Sequence, residues 1–390
     1  MNEISPIDIL PEDGFSGSLI GRVWRPAPHH GPSPVWIDAG GVFDLSPIAP
    51  SVSQLLNQGF SATQFSAETY ERIGSLDQIL QNSLTADRQT DQAYFLSPFD
   101  LQAIKACGVT FMVSMMERVI EEQAGGDPKR AAQIRHNIQE RIGQSLSEIV
   151  PGSAEAELVK QMLQAEGLWS QYLEVGIGPY AEIFTKAQPL SSVGLGAQIG
   201  IPDFSNWNNP EPEIVLAVNA KGEIVGASLG NDVNLRDIEG RSALLLGKAK
   251  DNNASCAIGP FIRLIDESFS LDDLRQAQLK LRVEHADGFC MEDSSDMQKI
   301  SRDILDLVAQ TTQSHQYPDG FALFTGTLFA PIQDRFQPGE GFTHQLDDRV
   351  SISSPKLGML VNQVGNCQQI PQWEFGIATL MQNLAKRGLL

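Results

Sequence analysis

The sequence predicts an α+β protein, and three observations lead there. From about residue 180 to the C-terminus, short apolar runs alternate with Gly- and Asp-containing turns. Residues 111–173 instead repeat apolar side chains at helical spacing. The first hundred residues hold short extended runs broken by Pro and Gly. With 390 residues, the chain has room for a small β-containing N-terminal region at 1–95, a strand plus helical connector at 96–178, and a mostly β domain at 179–390.

In chain order, Ser18–Trp24 and Pro34–Asp38 read as extended runs separated by PAPHHGPSP, with Gly40-Gly41 after them and a helix expected at Ser51–Asn57. Residues 60–92 show no clear period. SPFDLQAIKACGVTF reads as a strand that bends at Gly108. SMMERVIEEQ, PKRAAQIRHNIQERIGQSLSEIV and SAEAELVKQMLQAEGLWSQYL follow as helices. Pro128 suits a first turn, and Ala131, Ile134, Ile138, Ile142 and Leu146 share one face that reads as core packing. After IGPYAEIF, strands are expected in IVLAVNA, EIVGASLG, FIRLI, LKLRVE, GFALFTGT and GMLVN, with a closing helix in GIATLMQNLAKRG.

Composition narrows the chemistry. A net charge of −20 argues against nucleic acid as a partner, because phosphates demand a basic face. No apolar run of about 18 residues exists, so no membrane span is expected. The acidic start MNEISPIDILPEDG lacks the basic and apolar stretches of a signal peptide, so a soluble cytoplasmic protein is expected. Cys107, Cys256, Cys290 and Cys367 form no CxxC pair, and the six histidines are dispersed. Any metal should therefore be a hard cation held by carboxylates.

One stretch stands out: NNPEPEIVLAVNAKGEIVGASLGNDVNLRD. Glu211 and Glu213 are two residues apart, so an extended strand turns both to one face. Ile214–Asn219 and Ile224–Leu229 flank a turn centred on Lys221-Gly222 and read as a hairpin. Folding about that centre brings Asp232 opposite Glu211. Three converging carboxylates repel one another unless a divalent cation sits among them, which makes Glu211, Glu213 and Asp232 the candidate metal ligands. For an arbitrary E-x-E pair, solvated surface acids would be the better reading; the hairpin symmetry lowers its weight here.

PEPE, then NDVNLRD, then KAKDNNASCAIGPF resemble the metal-binding core of the fumarylacetoacetate hydrolase family, with Lys250 some ten residues before Gly259-Pro260. YPDGFALFTGT resembles that family's late Asp-Gly and Thr-Gly-Thr loop. Within the family, KACGVTFMVS, AEIFTKA, SNWNNPEPE and Cys-Ala-Ile-Gly-Pro resemble the 2-keto-3-deoxy-pentonate (2-dehydro-3-deoxy-D-arabinonate) dehydratases. The resemblance runs from about residue 100 to the C-terminus. It implies a mixed β-sandwich roll, Mg²⁺ (or Mn²⁺ or Ca²⁺), a homodimer or higher homo-oligomer, and a small 2-keto acid as substrate. The implied reaction is loss of water from a 2-keto-3-deoxy sugar acid to give 2,5-dioxopentanoate.

The resemblance also implies site residues. Lys250 and Glu182 are the candidates for proton transfer, and Lys250 reads equally well as a permanent cation that binds the substrate carboxylate. Lys186 is expected as an electrostatic neighbour. Thr110, Ser114, Thr325, Gly326 and Thr327 are expected to hydrogen-bond the substrate, although hydroxyls in turns commonly serve the local backbone. Asn253 stands where several family members carry Asp. Cys256 reads as a packed small residue. Hydrolytic family members use a His-Glu pair on a lid, and FMVSMMERVIEE holds glutamates but no histidine, which favours dehydration. The alternative is a C–C bond hydrolase of acylpyruvates or fumarylacetoacetate that uses the same metal site.

Overall fold

Strands buried on both faces dominate the architecture, and their alternating side chains feed two separate cores. The computed structural model describes all residues except 1–3, 60–67, 86, 132–133, 135–148, 166–168, 328, 330 and 339. The N-terminal strands are β1 (Leu19–Arg25), β2 (Gly31–Asp38), β3 (Gly41–Asp44), β4 (Arg72–Gly74) and β5 (Tyr94–Phe95). Then come β6 (Ala103–Gly108), β7 (Glu182–Ala187), β8 (Gln198–Ile201), β9 (Asn208–Asn209), β10 (Pro212–Val218), β11 (Ile224–Asp232) and β12 (Asn234–Leu235). The chain continues with β13 (Cys256–Leu264), β14 (Gln278–Glu284), β15 (Cys290–Asp296), β16 (Phe321–Phe324), β17 (Arg349–Ser354) and β18 (Gly358–Asn366).

An eleven-stranded sheet runs β4-β3-β2-β1-β13-β11-β10-β16-β6-β7, with β5 paired to β1. A five-stranded sheet runs β15-β14-β17-β18-β8, and β12 pairs with β9. On β10, Ile214, Leu216 and Val218 enter the core shared with Leu281, Val283, Ile352 and Leu360 of the smaller sheet. Val215 and Ala217 enter the core on the other face, with Ile258, Phe324, Leu55 and Leu56. This two-faced burial explains why IVLAV reads as an unbroken apolar run. The mixed sheets with flanking helices are the α+β architecture expected.

The hairpin pairs as the sequence predicts, from Pro212↔Asn231 to Ala217↔Gly226, and a bulge then shifts Val218 onto Ile224. Gly222 takes φ +79° in the turn, a conformation that costs glycine little. The helix expected at Ser51–Asn57 spans Val52–Asn57, with the Ser51 hydroxyl capping Gln54 N–H. The helical connector supplies helices Met112–Ala124, Ala154–Ala165 and Gln171–Ile177. Ala131 is buried and Ile134 packs against the same helical core, while Ile138, Ile142 and Leu146 lie outside the described residues. The stretch without a clear period holds β4 and a helix at Leu76–Leu84. Among the described residues, no helix is long and apolar enough to cross a membrane.

Candidate metal centre and its pocket

The ends of β10 and β11 place the acidic residues. The Asp232 N–H donates to Glu211 O at 3.0 Å, which fixes the two residues side by side. Each of Glu211, Glu213 and Asp232 offers an oxygen within 4.8 Å of the others, and all three are buried. They rise from the face of the large sheet that Val215 shares, away from the smaller sheet. Gly326 closes one side. Its N–H donates to Glu213 Oε2 at 2.6 Å, and with φ +94° a Cβ there would collide with the Thr110 hydroxyl.

Two lysines balance part of this charge. Lys250, at the end of the short helix Leu246–Lys250, donates to Glu211 Oε2 at 2.5 Å and to Asp232 Oδ2 at 3.1 Å. Lys186, fully buried on β7, lies 2.7 Å from Asp232 Oδ1 and also donates to the carbonyls of Val233 and Lys250. Burial pushes the Asp232 carboxyl up, but Lys186 and Lys250 outweigh it and hold it below its ordinary value. Burial likewise disfavours the Lys250 ammonium, yet Asp232, Glu211 and Glu239 hold it above its ordinary value. Glu213 is different. It pairs with no basic side chain among the described residues, and burial with Asp232 and Glu211 pushes its carboxyl well up.

The pocket over these groups is narrow and lined by Gly108, Ser114, Arg118, Glu182, Phe184, Glu239 and Thr327 as well as the triad and Lys250. Glu182 is half-buried at the start of β7, and burial followed by the charge of Glu239 raises it to about 7. Five carboxylates (Glu182, Glu211, Glu213, Asp232, Glu239) face three cations (Arg118, Lys186, Lys250), a formal excess of two negative charges. An all-oxygen donor set with that excess, in which Glu182 and Glu213 make no ion pair among the described residues, fits a hard divalent ion.

The other expected site residues divide. Ser114 and Thr327 line the pocket, but their hydroxyls donate to Phe111 O at 2.9 Å and Pro212 O at 3.2 Å. Thr110 donates to Thr325 O at 2.7 Å and Thr325 to Ile214 O at 3.2 Å, so both brace the Gly326 turn. Asn253 is exposed, reaches Cys367 O at 3.3 Å, and is not brought into the pocket. Cys256 is buried opposite Asp232 on β13, and burial raises its thiol. Two charged pocket residues escaped sequence reasoning. Arg118 pairs with Glu211, and lies 3.1 Å from Glu239. Glu239 follows Arg236 by three residues, so its nearness to the NDVNLRD motif was the signal that could have found it.

Residues 177–365 match a family model described as Fumarylacetoacetate (FAA) hydrolase C-terminal. The chain is 31% identical over 193 residues to a "Probable 2-keto-3-deoxyxylonate dehydratase" of Haloferax volcanii, covering 50% of this chain and 63% of that protein. It is 31% identical over 192 residues to the 2-dehydro-3-deoxy-D-arabinonate dehydratase of Saccharolobus solfataricus, covering 48% and 60%. The matches thus span 63% and 60% of the length of these curated relatives. A solved 2-keto-3-deoxy-D-arabinonate dehydratase in its apo form superposes with a TM-score of 0.63 at 21% identity, over 89% of this chain and 99% of that one. A complex of such an enzyme with magnesium and 2,5-dioxopentanoate gives 0.62 at 20% identity, over 89% and 99%. These superpositions establish the fold.

Proposed function

We propose that this chain, whose residues 177–365 form a fumarylacetoacetate hydrolase C-terminal domain, is a metal-dependent hydro-lyase that converts a 2-keto-3-deoxy-pentonate into 2,5-dioxopentanoate. The observation that carries the reading is the buried triad Glu211, Glu213 and Asp232 with Glu182 poised beside it. The dehydratase names of two relatives at 31% identity support the reaction class. Glu211, Glu213 and Asp232 would hold the ion, and Mg²⁺ is the candidate because a solved structural neighbour carries magnesium. When bound, such an ion polarises a 2-keto group and favours loss of the neighbouring C3 proton.

The chain's own residues supply the proton traffic. A carboxyl raised to about 7 can accept a proton near neutrality, which makes Glu182 the base at C3. Lys250, kept as an ammonium by its carboxylates, donates to the C4 hydroxyl as it departs as water. Elimination leaves a C3=C4 enone; a proton shift from C5 to C3 gives the C4=C5 enol, and transfer of the C5 hydroxyl proton to C4 completes the C5 aldehyde. Arg118 and Glu239 close the pocket over these atoms, and Phe184 limits water. A C–C hydrolysis would need an activated water, and no histidine lines the pocket among the described residues.

A panel of 2-keto-3-deoxy acids with added Mg²⁺, read by product mass, tests the proposal. The expected product is 2,5-dioxopentanoate from a pentonate. Pyruvate released from an acylpyruvate, with no dioxopentanoate from any pentonate, would replace the dehydratase reading with the hydrolase.

A further inference from the structure

We propose that Glu121 is a positioning residue for the ion site: it holds Arg118 against Glu211, and so sets how tightly the triad takes a divalent cation. The inference rests on the metal reading above. It also ties the helix Met112–Ala124 to ion binding.

Glu117, Arg118 and Glu121 are all buried on that helix, where charges persist only when paired. Their pairing runs in a line with one side branch, in which Glu117 Oε2 accepts from Arg236 Nη2 at 3.3 Å. Glu121 Oε1 accepts from Arg236 Nε at 2.6 Å, and Glu121 Oε2 accepts from Arg118 Nη1 at 2.6 Å. Arg118 then donates through Nη2 to Glu211 Oε1. The other Glu211 oxygen is taken by Lys250, so two cations from two different elements set the orientation of this ligand.

The far end of the line is anchored. Arg236 donates to Pro331 O at 2.9 Å, stacks 4.4 Å from the Trp207 ring, and lies four residues beyond Asp232. Glu121 is therefore held from behind, and its grip on Arg118 is directional. The Nη1 that Glu121 holds also lies 3.1 Å from Glu239, a third acid on the Arg118 guanidinium. Without Glu121 at full length, that guanidinium is free to settle on Glu239 and release Glu211. Glu121 itself does not line the pocket, and of the two arginines it holds only Arg118 reaches a triad residue, so its influence on an ion passes chiefly through Arg118.

The test uses the full chain as wild type, Glu121→Asp and Glu121→Gln. Mg²⁺ binding is measured by calorimetry, and melting temperature is read in chelator and in saturating Mg²⁺. Positioning through geometry predicts that both variants bind Mg²⁺ about ten- to hundred-fold more weakly, the loss typical when a partner of a ligand is removed. Their ion-induced rise in Tm shrinks to match. A purely structural Glu121 lowers both melting temperatures together and leaves the rise unchanged, which would overturn the proposal. So would Glu121→Asp binding like wild type.

If neither variant folds, hydrogen exchange on the wild type decides. Linkage is reciprocal, so Mg²⁺ must slow exchange across residues 112–124, and unchanged exchange there refutes the relay. A wild type that neither binds Mg²⁺ nor gains Tm from it removes the metal reading itself, and this inference with it.

Discussion

Replacing Glu213 with Gln should stabilise the chelator-treated protein while abolishing its response to divalent ions, two effects of opposite sign. Gln keeps the oxygen that accepts the Gly326 N–H at 2.6 Å, so the turn survives. What disappears is a buried charge with no cationic partner. Unit charges 4.8 Å apart repel by about 3.5 kcal/mol at an effective dielectric of about 20, and Glu213 faces two such neighbours. The field of Lys250 and Lys186 offsets part of this, which leaves a gain on the order of 1–3 kcal/mol. At about 2.1 cal/mol/K per residue, that is a Tm increase of ~1–4 °C in chelator. The pH dependence fixes the cause. The Glu213 carboxyl is held above its ordinary range by burial, Asp232 and Glu211, so its penalty is absent below that range and grows as pH rises through the raised value. The variant's advantage should therefore vanish in acid. Thermal unfolding across pH, with chelator and with Mg²⁺, reads all of this. A Glu213→Gln protein that melts below wild type in chelator, or keeps the full ion-induced increase, refutes the reasoning.

Lys250→Arg retains the charge but cannot give up a proton, so kcat should fall about 10²–10⁴-fold while C3 deuterium exchange into substrate continues. A change confined to KM would instead make Lys250 a carboxylate binder, and loss of exchange would move the base role to it. Glu182→Gln should abolish C3 exchange. In the wild type, the rate should fall below about pH 7 as Glu182 gains its proton, and a flat profile through neutrality would count against it as the base. Gly326→Ala places a Cβ at φ +94° against Thr110, at a cost of about 1–3 kcal/mol in stability. It should also weaken Mg²⁺ binding, because the N–H that orients Glu213 must shift; unchanged calorimetric affinity would show that this donor is dispensable.

The hairpin was legible because its determinants are local. The turn centred on Lys221-Gly222 sets its register, and the register alone brings Asp232 beside Glu211. The bulge at Ala217/Val218 was not legible, but it lies toward the turn and leaves the ligand end undisturbed. β15 escaped notice because CMEDSSD is an edge strand with most of its side chains in solvent, so it carries little apolar alternation. Arg118 escaped for another reason. Its partners Glu211 and Glu239 lie 93 and 121 residues along the chain, and no local pattern reports such a pairing. The Thr110 and Thr325 hydroxyls show the converse: a motif can lie beside the candidate site while its side chains serve the backbone that shapes it.

The N-terminal strands bear on the site through the sheet. β13 holds β11 in place on the ligand side, pairing Asp232 with Cys256, and its other edge is covered by β1 through Leu19↔Arg263 and Ile20↔Ile262. That contact is pinned by Asp13, which takes both Arg263 Nη atoms at 2.8 and 2.6 Å, and by Ser18, which donates to Asp266. A sheet edge left open at β13 would be free to fray or to pair with another chain. Repulsion between carboxylates falls only as the inverse of their distance, so the strands that carry them must be held by their neighbours. β1 covers the Ile262 and Arg263 end of that edge of β13; opposite Asp232 the edge is held by Val193, whose N–H donates to Cys256 O and whose carbonyl accepts from Ile258 N–H, each at 2.9 Å, which fixes the strand beside the candidate triad.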